Sequence, residues 1–296
     1  MDLVIISQYR KNSIDVNLSE QHQKRIPSRH SALDQVSFPR NDPVMTDPSL
    51  GIKAAESLLC SFTSGQVCYQ QPAPHGVVDN CFDPASLAAI HEYFPTPGMM
   101  KPYPGQNKDC IYRLIAPLSA NNLGESHTAS FQQPAAEFWD AFQRHLNKPA
   151  FSSQLLDAIN PGNLAKAKDR HSSLHLTTVL IRDSDGYSIG PHVDRPSRVF
   201  TILAYLPERQ HLHACGTRLY VPKNPQDQDR LLKNGQPQGW TNFFEVKEIE
   251  FVSNRAFVLP RTAEAWHGVT PVKGSQGQRK MIIIAGMDKN LVDKNQ

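Results

Sequence analysis

LHLTTVLIRDSDGYSIGPHVDRPSRVFTILAYL, residues 174–206, decides the fold. Two apolar, β-branched runs, LHLTTVLIRD (174–183) and RVFTILAYL (198–206), flank a segment of Gly, Pro, Asp and Ser. Such runs read as strands, and the segment between them has no helical period. The pattern continues through TRLYV (217–221), FFEVKEIEFV (243–252), RAFVLP (255–260) and KMIIIAG (280–286), with turn formers in between. No crossover helix fits between these strands, which excludes βαβ units and a Rossmann sheet. The expectation is a mainly β fold, a barrel or sandwich with helices packed outside it.

Upstream the signals are helical. GIKAAESLLCSF (51–62) has the composition of a short helix. DPASLAAIHEYF (83–94) opens with a capping Asp83 and a first-turn Pro84. In QPAAEFWDAFQRHLNKPAF (133–151), Phe138, Trp139, Phe142 and Leu146 recur near helical spacing, and a second short helix is expected over 152–160. Residues 63–82 carry Gly and Pro and read as loop, and the polar 222–242 reads as a surface insertion near a barrel mouth. Residues 1–50 are rich in Gln, Ser, Asn, Arg and Pro and read as a flexible tail. The expected division is therefore 1–50 tail, 51–170 helical support region, and 171–296 catalytic β core.

Composition narrows the function classes. Across 296 residues, 39% are hydrophobic, and thirteen Phe, eight Tyr and three Trp can fill a core. That excludes a disordered chain and a small disulfide-stapled scaffold. The net charge of +3, from 31 Lys and Arg against 28 Asp and Glu, is weak for a nucleic-acid binder. Five cysteines without CxxC spacing suit reduced thiols and a cytoplasmic location. No apolar stretch reaches the roughly 18 residues of a membrane span.

Twelve histidines are the surplus to explain. His192 and Asp194 stand at i and i+2, a spacing that aims both side chains to one face of a strand. Composition alone supplies about one such pair, so H-x-D is weak by itself. His267 follows the strand-like FVLP, where a barrel can bring it beside the pair. Two imidazoles and one carboxylate make the facial triad of a non-haem Fe(II) oxygenase, with open positions for a cosubstrate and O₂. Arg279 opens the most apolar strand, and a buried cation there needs a partner. A dicarboxylate matches its guanidinium fork.

With these residues the chain resembles the Fe(II)- and 2-oxoglutarate-dependent dioxygenases over about residues 170–287. Within them it looks most like bacterial oxygenases of secondary or polysaccharide metabolism, and more distantly like prolyl hydroxylases. The resemblance implies a double-stranded β-helix, a cupin-like jelly roll. It implies His192, Asp194 and His267 as iron ligands and Arg279 as the anchor of the distal carboxylate of 2-oxoglutarate. Tyr187 falls where such sequences often carry a cosubstrate or substrate contact. Several families place Ser two residues after the anchoring Arg; this chain has Met281. The hydroxyl of the clamp then falls to Tyr187, Thr201 or Tyr205, with Lys280 as the alternative cation, since apolar residues on both sides of 281–284 leave strand parity open. The implied activity is hydroxylation of a C–H bond of a small molecule or of a peptidyl or saccharide group, with release of succinate and CO₂. The partner is then a small-molecule or peptidyl substrate, with neither nucleic acid nor membrane expected.

Arg195, Arg198, Arg218, Tyr220 and Trp266 are candidate substrate contacts, and several arginines would suit an acidic substrate. The plain alternative is a solvated barrel rim, with Trp266 as packing. His211, His213 and Cys215 form a rival metal set at i, i+2 and i+4, but lack a further ligand cluster. Two other functions stay open: a metal-binding cupin-type protein that does not use 2-oxoglutarate, and a nucleic-acid or protein demethylase of the same superfamily.

Overall fold

A computed structural model describes residues 49–100, 110–113, 131–159, 174–207, 211–232, 236–274 and 279–292; the side chains of 110–113, 211–214 and 292 are outside the description. The expected tail lies almost wholly outside the described residues. Eleven strands are described: β1 (Val67–Tyr69), β2 (His75–Asp79), β3 (Cys110–Arg113), β4 (Leu174–Asp183), β5 (Ile189–His192), β6 (Arg198–Tyr205), β7 (His211–Pro222), β8 (Phe243–Val252), β9 (Arg255–Pro260), β10 (His267–Val269) and β11 (Arg279–Asp288). They form a seven-stranded sheet, β1-β2-β9-β6-β11-β4-β3, and a four-stranded sheet, β5-β10-β7-β8, antiparallel throughout. From β4 to β11 the chain alternates between the sheets, except at the β7–β8 hairpin. That winding is the double-stranded β-helix, or jelly roll.

Each face of the large sheet has its own core. Ile181, Leu203, Tyr205, Phe257, Leu259 and Met281 meet Leu219, Ile249, Phe251 and Val269 of the small sheet in the barrel interior. Leu176, Leu180, Ile202, Val258, Ile282 and Ile284 face the helices instead. A sheet covered on both faces reads as a continuous apolar run rather than an alternation. This is why MIIIAGM shows no period: Met281 and Ile283 point inward, while Ile282 and Ile284 point to the helices.

The helices α1 (Ser49–Gly65), α2 (Pro84–Tyr93), α3 (Ala135–Leu146) and α4 (Pro149–Ala158) supply that outer layer. Asp83 caps α2 by accepting from the amides of Ala85 and Ser86, both at 3.0 Å, worth about 1 kcal/mol. Phe138, Trp139, Phe142 and Leu146 of α3 are buried, and Trp139 Nε1 donates to the Tyr93 carbonyl at 2.8 Å. The stretch 133–151 thus resolves into α3 and the start of α4, interrupted near Asn147, whose side chain binds the backbone of Leu176.

The structure corrects two expectations. The 63–82 loop contains β1 and β2, which extend the large sheet beyond β9. The region 51–170 is therefore not helical support alone; it also contributes β3 to the other edge. Short strands with polar or Gly neighbours, such as VCY and HGVVD, carry no periodicity of their own; HGVVD becomes a strand by pairing with β9, and VCY by pairing with HGVVD. Residues 222–242 are an insertion, as expected, but one that packs down: α5 (Gln228–Leu231) brings Leu231 into a cluster with Val193, Tyr220, Phe243 and Trp266.

Candidate metal centre

Two very short strands hold the imidazoles. β5 ends on His192 and β10 begins on His267, and the two residues are direct cross-strand partners. Their rings lie 4.2 Å apart between centroids. Two glycines allow close backbone packing here, Gly268 between β10 and β5 and Gly190 between β5 and Gln238. A Cβ on Gly268 would stand 2.6 Å from the Ile189 carbonyl, and one on Gly190 would stand 2.3 Å from the Gln238 carbonyl. The i, i+2 spacing placed His192 and Asp194 together on one strand; His192 is instead the last residue of β5, and Asp194 lies just beyond the strand.

Each imidazole is oriented by its own backbone. His192 Nδ1 lies 3.0 Å from the Gly190 carbonyl, and His267 Nδ1 lies 3.0 Å from the Ala265 carbonyl. A carbonyl only accepts, so each Nδ1 donates, and each Nε2 is the nitrogen left to offer a lone pair to a metal. Burial first, then the neighbouring His267, pushes the His192 pKa down to about 3, which keeps that lone pair at neutral pH. Burial alone would raise the pKa of Asp194. The Arg198 guanidinium, both imidazoles and the Thr201 hydroxyl outweigh it and hold the carboxyl well below the usual carboxylate range. Thr201 Oγ1 donates to Asp194 Oδ2 at 2.7 Å, and Arg198 Nη1 to Oδ1 at 3.0 Å. One donor atom from each of His192, Asp194 and His267 falls within 4.8 Å of the others. No other such group occurs among the described residues. The His211 and His213 side chains of the rival set lie outside the described residues. Two imidazoles and a carboxylate are the donor set that suits a mononuclear Fe(II) centre.

Arg279 enters the same interior from β11 and is buried. Its Nη1 is ion-paired with Asp183 of β4, and its Nε donates to the Cys215 carbonyl at 2.8 Å. Tyr187 and Phe251 flank the guanidinium, with ring centroids 5.6 and 5.2 Å from Cζ. Lys280 points to the opposite face, where its Nζ lies 5.6 Å from the Phe94 ring beside the helices. Parity therefore brings Arg279, and not Lys280, to the interior. The three candidate hydroxyls divide. Thr201 is committed to Asp194, Tyr205 donates to Thr217 Oγ1 at 2.7 Å, and Tyr187 stands beside Arg279.

The expected substrate contacts are mostly elsewhere. Leu219 is the cross-strand partner of His267 and lies in the interior, so its neighbours Arg218 and Tyr220 face the outside of the small sheet. There Arg218 pairs with Glu245 and with Glu248, the latter at 3.1 Å. Tyr220 and Trp266 are packed under Phe243 and Leu231. Strand alternation thus removes Arg218, Tyr220 and Trp266 from the interior. Arg195 is exposed, and Arg198 is spent on Asp194. The sequence reading missed Arg261, whose Nε donates to the Asp194 carbonyl at 2.9 Å, and Asp183, the partner of Arg279. Asp183 was within reach, because it ends the strand that pairs with the one Arg279 begins.

No protein-family model and no curated protein matches the chain. Among solved structures it is similar to a prolyl hydroxylase from Trichoplax adhaerens bound to a hypoxia inducible factor peptide, with 12% identity and a TM-score of 0.41 over 82% of this chain and 91% of that one. It is also similar to a prolyl-4-hydroxylase from Pseudomonas putida, with 16% identity and a TM-score of 0.40 over 79% and 98%. A 2OG-Fe(II) oxygenase family oxidoreductase from Burkholderia pseudomallei gives 12% and 0.42 over 79% and 90%.

Proposed function

We propose that the protein is an Fe(II)- and 2-oxoglutarate-dependent dioxygenase that hydroxylates a C–H bond of a small molecule or of a peptidyl or saccharide group. One observation carries this reading: His192, Asp194 and His267 converge inside a jelly roll with both Nδ1 atoms tied to backbone carbonyls. His192 and His267 would hold the metal through Nε2, and Asp194 through its carboxylate. Thr201 and Arg198 fix the rotation of that carboxylate. Arg279 is the buried cation for the distal carboxylate of 2-oxoglutarate, with the Tyr187 and Phe251 rings keeping water away. With iron, 2-oxoglutarate and O₂ bound, the metal and cosubstrate supply the oxidant, and succinate and CO₂ are released.

A second reading has one observation in its favour. Asp183 already neutralises Arg279, which suits a metal-binding cupin-type protein that does not use 2-oxoglutarate. One experiment separates the two. Purified protein is titrated with Fe(II) without oxygen, then supplied with 2-oxoglutarate, ascorbate and air while succinate is followed. One Fe(II) per chain with steady succinate formation supports the dioxygenase. One Fe(II) without succinate supports the second reading, and no Fe(II) binding sinks both.

A further inference from the structure

Lys247 lies in the same row of the small sheet as the two metal-site histidines. It is the cross-strand partner of Leu219, Leu219 is the partner of His267, and His267 is the partner of His192. Directly paired residues project to one face, and Leu219 is in the barrel interior. Lys247 therefore faces the interior two strand spacings from His267, roughly 10 Å away.

Its ammonium is seated by two residues of the added hairpin. Tyr69 and His75 are partners across β1 and β2, and their rings stack at 4.8 Å and 13°. Lys247 Nζ stands 3.4 Å from the centroid of the Tyr69 ring and 3.4 Å from His75 Nε2. His75 Nδ1 donates to the Ala73 carbonyl at 2.8 Å, so Nε2 offers the ammonium a lone pair. Burial, and then the Lys247 charge, push the His75 pKa down to about 4, so the imidazole is neutral. A ring face and a lone pair hold the ammonium in place without neutralising it.

The carboxylates of β8 are engaged elsewhere. Glu245 and Glu248 pair with Arg218, and Glu250 pairs with Arg255. Among the described residues Lys247 has no carboxylate partner. A half-buried, oriented ammonium with no carboxylate partner among the described residues, roughly 10 Å from His267, suits an anionic ligand.

We propose that Lys247, positioned by Tyr69 and His75, binds a carboxylate of the organic substrate, so that the substrate is a carboxylate-bearing molecule reaching from the metal ligands to β8. The proposal rests on the dioxygenase reading and names its substrate class. It moves the expected anion recognition away from Arg195, Arg198 and Arg218.

The test uses the full-length protein loaded with Mn(II) and 2-oxoglutarate, so that turnover does not interfere. A panel of N-acetyl amino acids and their matching carboxamides is titrated by thermal shift. Acids should bind about tenfold or more tightly than their amides, the range of a charge-assisted hydrogen bond. That preference should vanish in Lys247→Met and persist in Lys247→Arg. Equal binding of acids and amides, no binding by either, or an undiminished preference in Lys247→Met overturns the proposal. Should Lys247→Met fail to fold, loss of the acid preference in Lys247→Gln takes its place. The shift given by Mn(II) and 2-oxoglutarate alone is a separate readout. Its absence overturns the dioxygenase reading and leaves the acid-to-amide comparison to decide on Lys247.

Discussion

Arg279 and Asp183 face each other as register partners across β11 and β4, and they form an ion pair with both side chains only 2% exposed. The cation expected to receive a dicarboxylate thus already holds an internal carboxylate. The internal carboxylate must share the guanidinium fork with the ligand or yield to it. Replacing Asp183 by Asn removes the competing charge and keeps the shape. Removing one member of a buried pair destabilises a protein by about 3–5 kcal/mol, because the other charge is left uncompensated. Asp183→Asn should therefore lower the ligand-free melting temperature, and 2-oxoglutarate should restore more stability to the variant than it gives the wild type. Thermal shift titrations of both proteins check this. An equal 2-oxoglutarate shift in the two would remove Asp183 from any competition for Arg279.

Replacing Arg279 by Met should raise the apparent 2-oxoglutarate requirement at least about tenfold, the loss of one charge-assisted bidentate contact. Lys280→Met is the control, because Lys280 lies on the helix side near Phe94. Measuring the 2-oxoglutarate dependence of succinate formation in both variants checks the assignment. A stronger effect in Lys280→Met would reverse it.

These two residues illustrate how much the sequence made legible. H-x-D, a later His and a strand-opening Arg were enough to pick out residues that the fold brings into the barrel interior, because each depends on local spacing or on a buried charge. The large strands were legible from apolar runs. The small ones were not: β5 takes its form from β10 and β10 also from β7, while β1 takes its form from β2 and β2 also from β9. Which way Lys280, Arg218 and Tyr220 point was hidden for a related reason. A sheet buried on both faces has no polar side to set the parity, and on the outer face of the small sheet Tyr220 is covered by Leu231 and Phe243.

Metal binding should depend on the ligands far more than on their supports. His192→Ala and His267→Ala should each abolish stoichiometric Fe(II) binding, read by anaerobic titration. Thr201→Val keeps the volume of Thr201 but deletes the hydroxyl that donates to Asp194 Oδ2 at 2.7 Å. Partners that orient a ligand typically contribute 10–100-fold in metal affinity, so Thr201→Val should weaken Fe(II) by about that factor while preserving one site per chain. An unchanged affinity would mean that Arg198 alone orients the carboxylate.

His75 gives the fold a pH signature separable from the metal site. Its pKa is about 4 in the fold against 6.5 ordinarily, mainly because burial penalises the imidazolium. A histidine with a depressed folded pKa binds fewer protons folded than unfolded. Its stabilising contribution is fully present above pH 6.5 and is lost as the pH falls from 6.5 toward 4. The full difference corresponds to about 3 kcal/mol. His145 and His175 are shifted the same way, so the whole acid limb does not belong to His75. A difference measurement isolates it. The stability of wild type minus that of His75→Gln, from urea unfolding between pH 4 and 8, should be flat above pH 7 and should fall steadily below 6.5. A flat difference across the whole range would mean that folding leaves the His75 pKa unshifted, so that burial does not hold the imidazole neutral.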